Sequence, residues 1–268
     1  MSGPAIPPGT PDPERRLLVD TSERISEIYQ DSYSTQSREW RTLGAVDKAA
    51  NIIRAARSVS LPPSPRVLEI GSGDGAIAQE LANRGFFGSY RGFDLSRSGV
   101  AEAQARGISG ADFTQTAGGA IPVADDSADL VVLSHVVEHL EHPRVLLYEA
   151  RRIAPLVLIE VPLEHNARLP RDHVWDGVGH INKYTATTIR QLVQTCDLEI
   201  AVQFTTNPSK AVATFHADTA KRRVEWRMKD VALRLAPRLA RTLFTYHETI
   251  LARRSAPAGP ARTPGSGT

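Results

Sequence analysis

Residues 67–75 read Val-Leu-Glu-Ile-Gly-Ser-Gly-Asp-Gly, an apolar run that ends in alternate glycines. A glycine-rich turn of this kind lets a ligand approach the main chain at the start of the next helix, where the dipole favours negative groups. Gly71, Gly73 and Ala76 also satisfy the dinucleotide pattern G-x-G-x-x-(G/A), a short motif that often matches by chance. Glu69 stands two residues before the first glycine, where a nicotinamide-binding chain usually has an apolar residue. Asp94 closes the next apolar run, 19 residues after Gly75, placed to accept hydrogen bonds from two ribose hydroxyls.

Histidine is the side chain whose charge changes nearest neutrality, and a positioned general base is worth about 10²- to 10⁴-fold in rate. Six of the eight histidines fall between 135 and 180: His135, His139, His142, His165, His173 and His180. The H-E-x-x-H spacing does not occur among them, and no metal site is expected.

The elements that must position these groups are strands alternating with helices. Short apolar runs at 66–70, 90–93, 111–114, 129–134 and 156–161 predict five strands, and 76–83, 98–106 and 143–153 the helices among them. A helix over 185–196, a strand over 198–205 and a last strand over 242–252 complete the pattern. Strands buried on both faces and separated by helices imply a parallel sheet covered on both sides. The six His positions then lie near the C-terminal ends of strands four and five, where open α/β sheets bind ligands.

Ahead of this domain, Leu18, Thr21, Ile25 and Ile28, then Trp40, Leu43, Val46, Ala50 and Ile53, recur at helical spacing. They predict an N-terminal helical lid over 14–60, ahead of a main domain over 61–254. Residues 1–13 and 255–268, rich in Pro, Gly, Ala and Thr, read as tails. Near the other end, Val224, Met228, Val231 and Leu235 form a helical stripe that Pro237 should stop, within a helical insertion over about 208–241.

The chain has 268 residues, enough for a large core, and no apolar run of the roughly 18 residues that span a membrane. Prolines interrupt the N-terminus where an export signal would be apolar, and the single Cys196 fits a reducing, cytoplasmic compartment. Net charge is +2, too little to imply nucleic acid, yet residues 221–254 carry ten Lys/Arg and three acids. That basic helix reads as a solvated insertion or homodimer contact, a cover over an anionic substrate, or an element touching an anionic membrane surface.

Taken together, the glycine loop, Asp94, Ala120-Ile121-Pro122-Val123 with Asp126 to Val132, and Ser134-His135-Val136-Val137-Glu138-His139-Leu140 occur in an informative order. The chain resembles a class I S-adenosylmethionine-dependent methyltransferase, of the type 11 subgroup that includes ubiquinone and menaquinone biosynthesis enzymes, over residues 65–205 and the last strand. The resemblance implies a Rossmann-like, doubly wound, mostly parallel seven-stranded sheet with helices on both faces. It implies that Glu69, Gly71, Ser72 and Gly73 serve the methionine side of the cofactor. Asp94 matches the ribose-binding acid, Leu95 packs by the adenine, and Ser134 and His135 line the sulfonium. Ala117 occupies the position of the acid that usually contacts the adenine amino group, so that contact falls to the backbone or is lost.

The resemblance further implies His139 as general base, with Tyr29 or Tyr33 from the lid as its partner. His165, His173 and Trp175 become acceptor-pocket residues, while His180 braces its turn. A small-molecule acceptor, a sugar or secondary metabolite methylated on oxygen or nitrogen, is the leading expectation. A nucleic-acid methyltransferase is disfavoured because Ser-His-Val-Val replaces Asp/Asn-Pro-Pro-Tyr/Phe after strand four, and no aromatic-basic platform is present. A nicotinamide oxidoreductase is disfavoured by Glu69, and a non-catalytic partner or regulator on the same fold is the remaining alternative.

Overall fold

The structure is a computed structural model and describes residues 37–118, 120–171 and 179–255. Its centre is a seven-stranded sheet in the order β3-β2-β1-β4-β5-β7-β6. The strands are β1 (Arg66–Ile70), β2 (Ser89–Asp94), β3 (Ala111–Gln115), β4 (Leu130–Ser134), β5 (Leu156–Pro162), β6 (Leu198–Thr206) and β7 (His247–Arg254). β1 to β5 pair in parallel, and β7 runs antiparallel to both its neighbours, β5 and the edge strand β6. The order reverses direction at β1 and β4, so their C-terminal ends open the crevice in which this class of sheet binds ligands.

Alternation along the strands feeds two cores. Val67, Leu130, Val132 and Leu158 face one side, under helices α1 (Arg38–Ala56), α2 (Ala76–Asn83) and α3 (Arg97–Ala105). Leu68, Val131, Leu133, Val157 and Ile159 face the other, under α4 (Pro143–Ile153) and α5 (Ala186–Gln194). Side-chain hydroxyls start several helices: Ser96 accepts the Gly99 N–H for α3, and Thr185 with Thr188 makes a reciprocal cap for α5.

Two expectations need correction. In α1 the buried positions are Ala45, Ala49, Asn51, Ile52, Ala55 and Ala56, whereas Trp40, Val46 and Ala50, members of the expected stripe, are exposed. The inward face carries small residues and polar groups, so hydrophobicity alone placed it wrongly. The last strand starts at His247 and not at residue 242, because Pro237 opens another helix. Proline lacks the N–H that a first helical turn leaves unused, so it ends one helix and begins the next.

Between β6 and β7 the insertion comprises α6 (Lys210–Thr214), α7 (Ala220–Leu235) and α8 (Pro237–Leu243). The stripe of α7 points outward: Val224, Met228, Val231 and Leu235 are all exposed, and α8 extends it with Leu239 and Leu243. Among the described residues no helix is long and apolar enough to cross a membrane.

Candidate active site

The glycine loop is held from below by hydrogen bonds to the end of β2. Gly71 and Ser72 N–H groups donate to the Phe93 carbonyl at 2.7 and 3.1 Å, and Gly73 N–H donates to Asp94 Oδ2 at 2.7 Å. The other Asp94 oxygen takes the Ser96 N–H at 2.7 Å. Asp94 thus ties the loop to the start of α3, and its remaining lone pairs can still accept from a ligand. Burial raises its pKa, against which the main-chain donors work. Gly71 has φ +82°, and a Cβ there would lie 2.4 Å from Val136 Cγ2, so only glycine fits.

Glu69 lies beneath the loop, fully buried, where Tyr90 donates its hydroxyl to Oε2 and Oε1 has no hydrogen-bond partner. Burial pushes its carboxyl up to about 8, while the Tyr90 hydrogen bond and the Lys48 charge pull the other way. Ser72 is buried with an unpartnered hydroxyl. Leu95 is half-buried just past β2, and Ala117 is exposed in the loop after β3, offering a ligand only its methyl and main chain.

Sequence reading missed a clamp on this loop. Arg41 of α1 donates Nε to Asp74 Oδ2 at 3.0 Å and a second nitrogen to Glu102 at 2.7 Å, while Arg106 reaches the same Asp74 oxygen at 2.7 Å. Both arginine side chains and Asp74 are less than a tenth exposed. The only advance signal was an acidic residue inside a glycine loop; its partners lie 33 and 32 residues away and follow no motif.

The facing wall comes from β4, β5, β7 and the turn after β4. His135, just past β4, has φ +59°, a left-handed conformation rare for a residue with a side chain, and its N–H donates to the Glu160 carbonyl at 2.8 Å. Its Nδ1 lies 3.3 Å from Glu138 Oε1, and its Nε2 lies 3.6 Å from Glu160 Oε1, an ion-pair distance beyond hydrogen-bond length. Glu160 Oε2 accepts from Asn51 of α1 at 2.8 Å and Thr249 at 2.9 Å. The His247 ring meets His135 edge-on at 4.7 Å. Ser134 is buried with an unpartnered hydroxyl.

Val137–His139 is a single 3₁₀ turn. His139 Nδ1 bonds the Gly179 carbonyl at 3.1 Å, and its ring packs edge-on against His180 at 4.6 Å. His180 Nδ1 lies 2.8 Å from Glu164 Oε2, which also accepts from Lys183 at 2.8 Å. Burial resists ionisation of Glu138 and Glu160, but His135 beside both outweighs it, and each carboxyl sits at about 2. Burial and the neighbouring His135 press His247 down to about 3, and burial lowers His139 too. His135 moves up, because the two carboxylates outweigh its burial.

Linear spacing gave no reason to expect a metal site, and among the described residues the fold brings histidines and carboxylates together across long stretches of sequence. One ligand atom from each of Glu138, His139 and His180 lie within 4.8 Å of one another, as do those of His135, Glu160 and His247. His165, expected in the acceptor pocket, is exposed, with its N–H on the Tyr184 carbonyl. Tyr29, Tyr33, His173 and Trp175 lie outside the described residues.

The family model described as "Methyltransferase domain" matches residues 39–203. An uncharacterized methyltransferase of Mycobacterium tuberculosis is 31% identical over 146 residues, covering 52% of this chain and 55% of that protein. The chain thus spans about half the length of the curated relatives it matches. A solved S-adenosylmethionine-dependent methyltransferase from Mesorhizobium loti shares 18% identity, with TM-score 0.54 over 78% of this chain and 100% of that one. An N-methyltransferase of Haemonchus contortus, solved with phosphomonomethylethanolamine and S-adenosylhomocysteine, shares 17% identity, with TM-score 0.55 over 77% and 52%. At those identities the solved structures speak to the fold alone. The family match, together with the sheet order and the glycine loop on β1, identifies the chain as a member of the class I S-adenosylmethionine-dependent methyltransferase family.

Proposed function

We propose that this chain transfers the methyl group of S-adenosylmethionine to an oxygen or nitrogen of a small-molecule acceptor, a sugar or secondary metabolite, in the cytoplasm. The observation that carries the reading is the pair of facing walls at the C-terminal ends of the strands. One is a braced glycine loop with Asp94, suited to the cofactor; the other is a cluster of histidines and carboxylates, suited to a polar acceptor. On this reading Gly71, Ser72 and Gly73 receive the methionine part of the cofactor, with Glu69 beneath them. Asp94 takes the ribose, Leu95 and the main chain at Ala117 take the adenine, and Ser134 and His135 lie beside the sulfonium.

Methyl transfer is an in-line displacement on a carbon whose leaving group is already activated. The protein's main contribution is to align acceptor and methyl, an effect worth roughly 7–11 kcal/mol. A hydroxyl or ammonium acceptor must also lose its proton, and the histidine–carboxylate cluster stands at the correct end of the sheet to assist. His139 was the base expected from sequence; its Nδ1 is committed to the Gly179 carbonyl.

The test is the fate of a labelled methyl group. Purified protein is incubated with methyl-labelled S-adenosylmethionine and host extract, and small molecules, nucleic acid and protein are then separated. Label in the small-molecule fraction supports the reading and yields a product to identify. Label confined to nucleic acid, or no transfer at all while S-adenosylhomocysteine binds, counts against it.

A further inference from the structure

We propose that the outward face of α7 and α8 docks on a bilayer surface that carries anionic lipid, an inference that does not rest on the methyltransferase reading. Among the described residues nine large apolar side chains are exposed, and six of them fall between 224 and 243. They are Val224, Met228, Val231 and Leu235 on α7 with Leu239 and Leu243 on α8, and they are 40% to 81% exposed. Apolar residues scattered singly over a surface need no explanation, whereas a contiguous stripe marks a contact.

The stripe is not a core face turned the wrong way, because α7 attaches to the body through its opposite side. Leu233 packs against Leu163, Ala240 and Tyr246. Trp226 donates its indole N–H to the Pro208 carbonyl at 2.8 Å, and the Tyr246 hydroxyl donates to the Lys229 carbonyl at 2.8 Å. The Lys229 ammonium lies over the Tyr246 ring, and Arg241 donates to Thr205 Oγ1 at 3.0 Å. The helix thus has two apolar faces, of which the fold uses one.

Charge selects what covers the other. Residues 221–241 carry eight Lys/Arg and two acids, a net of +6 in a chain whose total is +2. At 3.6 residues per turn, Val224, Met228, Val231 and Leu235 fall within an arc of about 60°. Lys221 borders that arc on one side, and Arg227, Arg234 and Arg223 border it on the other, all exposed. Asp218 and Asp230 partly offset Arg223 and Arg234, at 2.6 and 3.0 Å, and Arg238 adds an exposed cation on α8. An apolar stripe edged by arginine and lysine suits a helix lying in the headgroup region, with its apolar side chains at the acyl boundary and its cations on lipid phosphates. Among the described residues no helix can cross a membrane, so the contact runs along the surface.

Other occupants fit less well. A two-fold dimer through this face would set a net positive patch against itself. Nucleic acid would find no aromatic ring in the stripe on which to stack a base, since Trp226 is committed to Pro208. Only three residues separate α8 from His247, whose ring stands in the wall of histidines and carboxylates. Docking through α7 and α8 therefore holds the element next along the chain to the acceptor wall at the lipid surface.

The experiment is co-sedimentation of the full chain with vesicles of phosphatidylcholine alone, and of phosphatidylcholine with an equal part of phosphatidylglycerol. The expected result is binding to the anionic vesicles about tenfold tighter or more than to the neutral ones, and weakened by raised NaCl. Leu235→Ser with Leu239→Ser, and separately Arg227→Glu with Arg238→Glu, should each weaken that binding by about tenfold or more. Tyr148→Ser, at an exposed position on α4, should leave it unchanged. Thermal unfolding and S-adenosylhomocysteine binding, both unchanged in these variants, report that they are folded. Absence of vesicle binding, equal binding to both kinds of vesicle, or binding indifferent to the α7 and α8 substitutions overturns the proposal. A vesicle-free dimer that the paired leucine substitutions break, or capture of duplex DNA in place of vesicles, overturns it too, giving the face to a second copy or to nucleic acid. A chain that docks as expected but binds no S-adenosylhomocysteine keeps the docking face and counts against the proposed methyl transfer.

Discussion

The two walls of the crevice are built on opposite principles. At the β1–β2 end the glycine loop is largely self-sufficient: Gly71, Ser72 and Gly73 N–H groups all have acceptors, and Asp74 is met by two arginines. At the β4–β5 end, buried polar atoms accumulate without partners, among them Ser134 Oγ, His135 Nε2, both Glu138 oxygens and Glu160 Oε1. Buried polar groups are ordinarily satisfied, and those that are not call for an explanation such as an ion or a ligand. The contrast is one of degree: among the described residues the first wall leaves only Glu69 Oε1 and Ser72 Oγ unpartnered and is otherwise finished before any ligand arrives, whereas the second leaves five such atoms for what it binds.

The largest effect should come from damaging the finished wall. Gly71→Ala forces a side chain onto a left-handed backbone and into Val136 Cγ2. Affinity for S-adenosylhomocysteine, measured by calorimetry, should fall at least 100-fold. Arg41→Ala comes next. It leaves Asp74 with Arg106 alone, and losing a charge-assisted hydrogen bond at a nearly buried site costs about 1.5–3 kcal/mol. Thermal unfolding should shift down accordingly, with a modest loss of cofactor affinity.

Glu69→Gln separates burial from charge. In the folded chain Glu69 keeps its proton up to about pH 8, whereas an unfolded carboxyl releases it near 4.5. Between those values the folded state binds the extra proton, so Glu69 erodes stability as pH rises through that window. The substitution should flatten the decline in melting temperature from pH 5 to 8 and make the variant the more stable form above pH 8. The smallest effect should follow Leu235→Ser, at a position 81% exposed on α7. Chemical denaturation should place it within about 0.5 kcal/mol of wild type.

The same contrast governs what could be read in advance. The finished wall is local in sequence: the glycine loop follows β1 directly and Asp94 ends the next strand, so motif order disclosed it along with the sheet. The clamp by Arg41 was hidden because the inward face of α1 carries Arg41 and Asn51 among alanines, which hydrophobic periodicity assigns to solvent. The histidines were legible as a population near strands four and five. Their pairings were not, since His139 meets His180 across 41 residues and His135 meets His247 across 112, and no linear spacing encodes such contacts. Pro237 was read as a stop, whereas its ring is equally suited to a first helical turn.

The most direct test is a calorimetric titration of S-adenosylhomocysteine into wild type, Asp94→Ala and Glu138→Gln. The account predicts one site in wild type, a loss of at least tenfold in Asp94→Ala, where Gly73 and Ser96 lose their acceptor, and wild-type affinity in Glu138→Gln. Equal binding to Asp94→Ala, or a loss confined to Glu138→Gln, would contradict the division of the crevice into a cofactor wall and an acceptor wall.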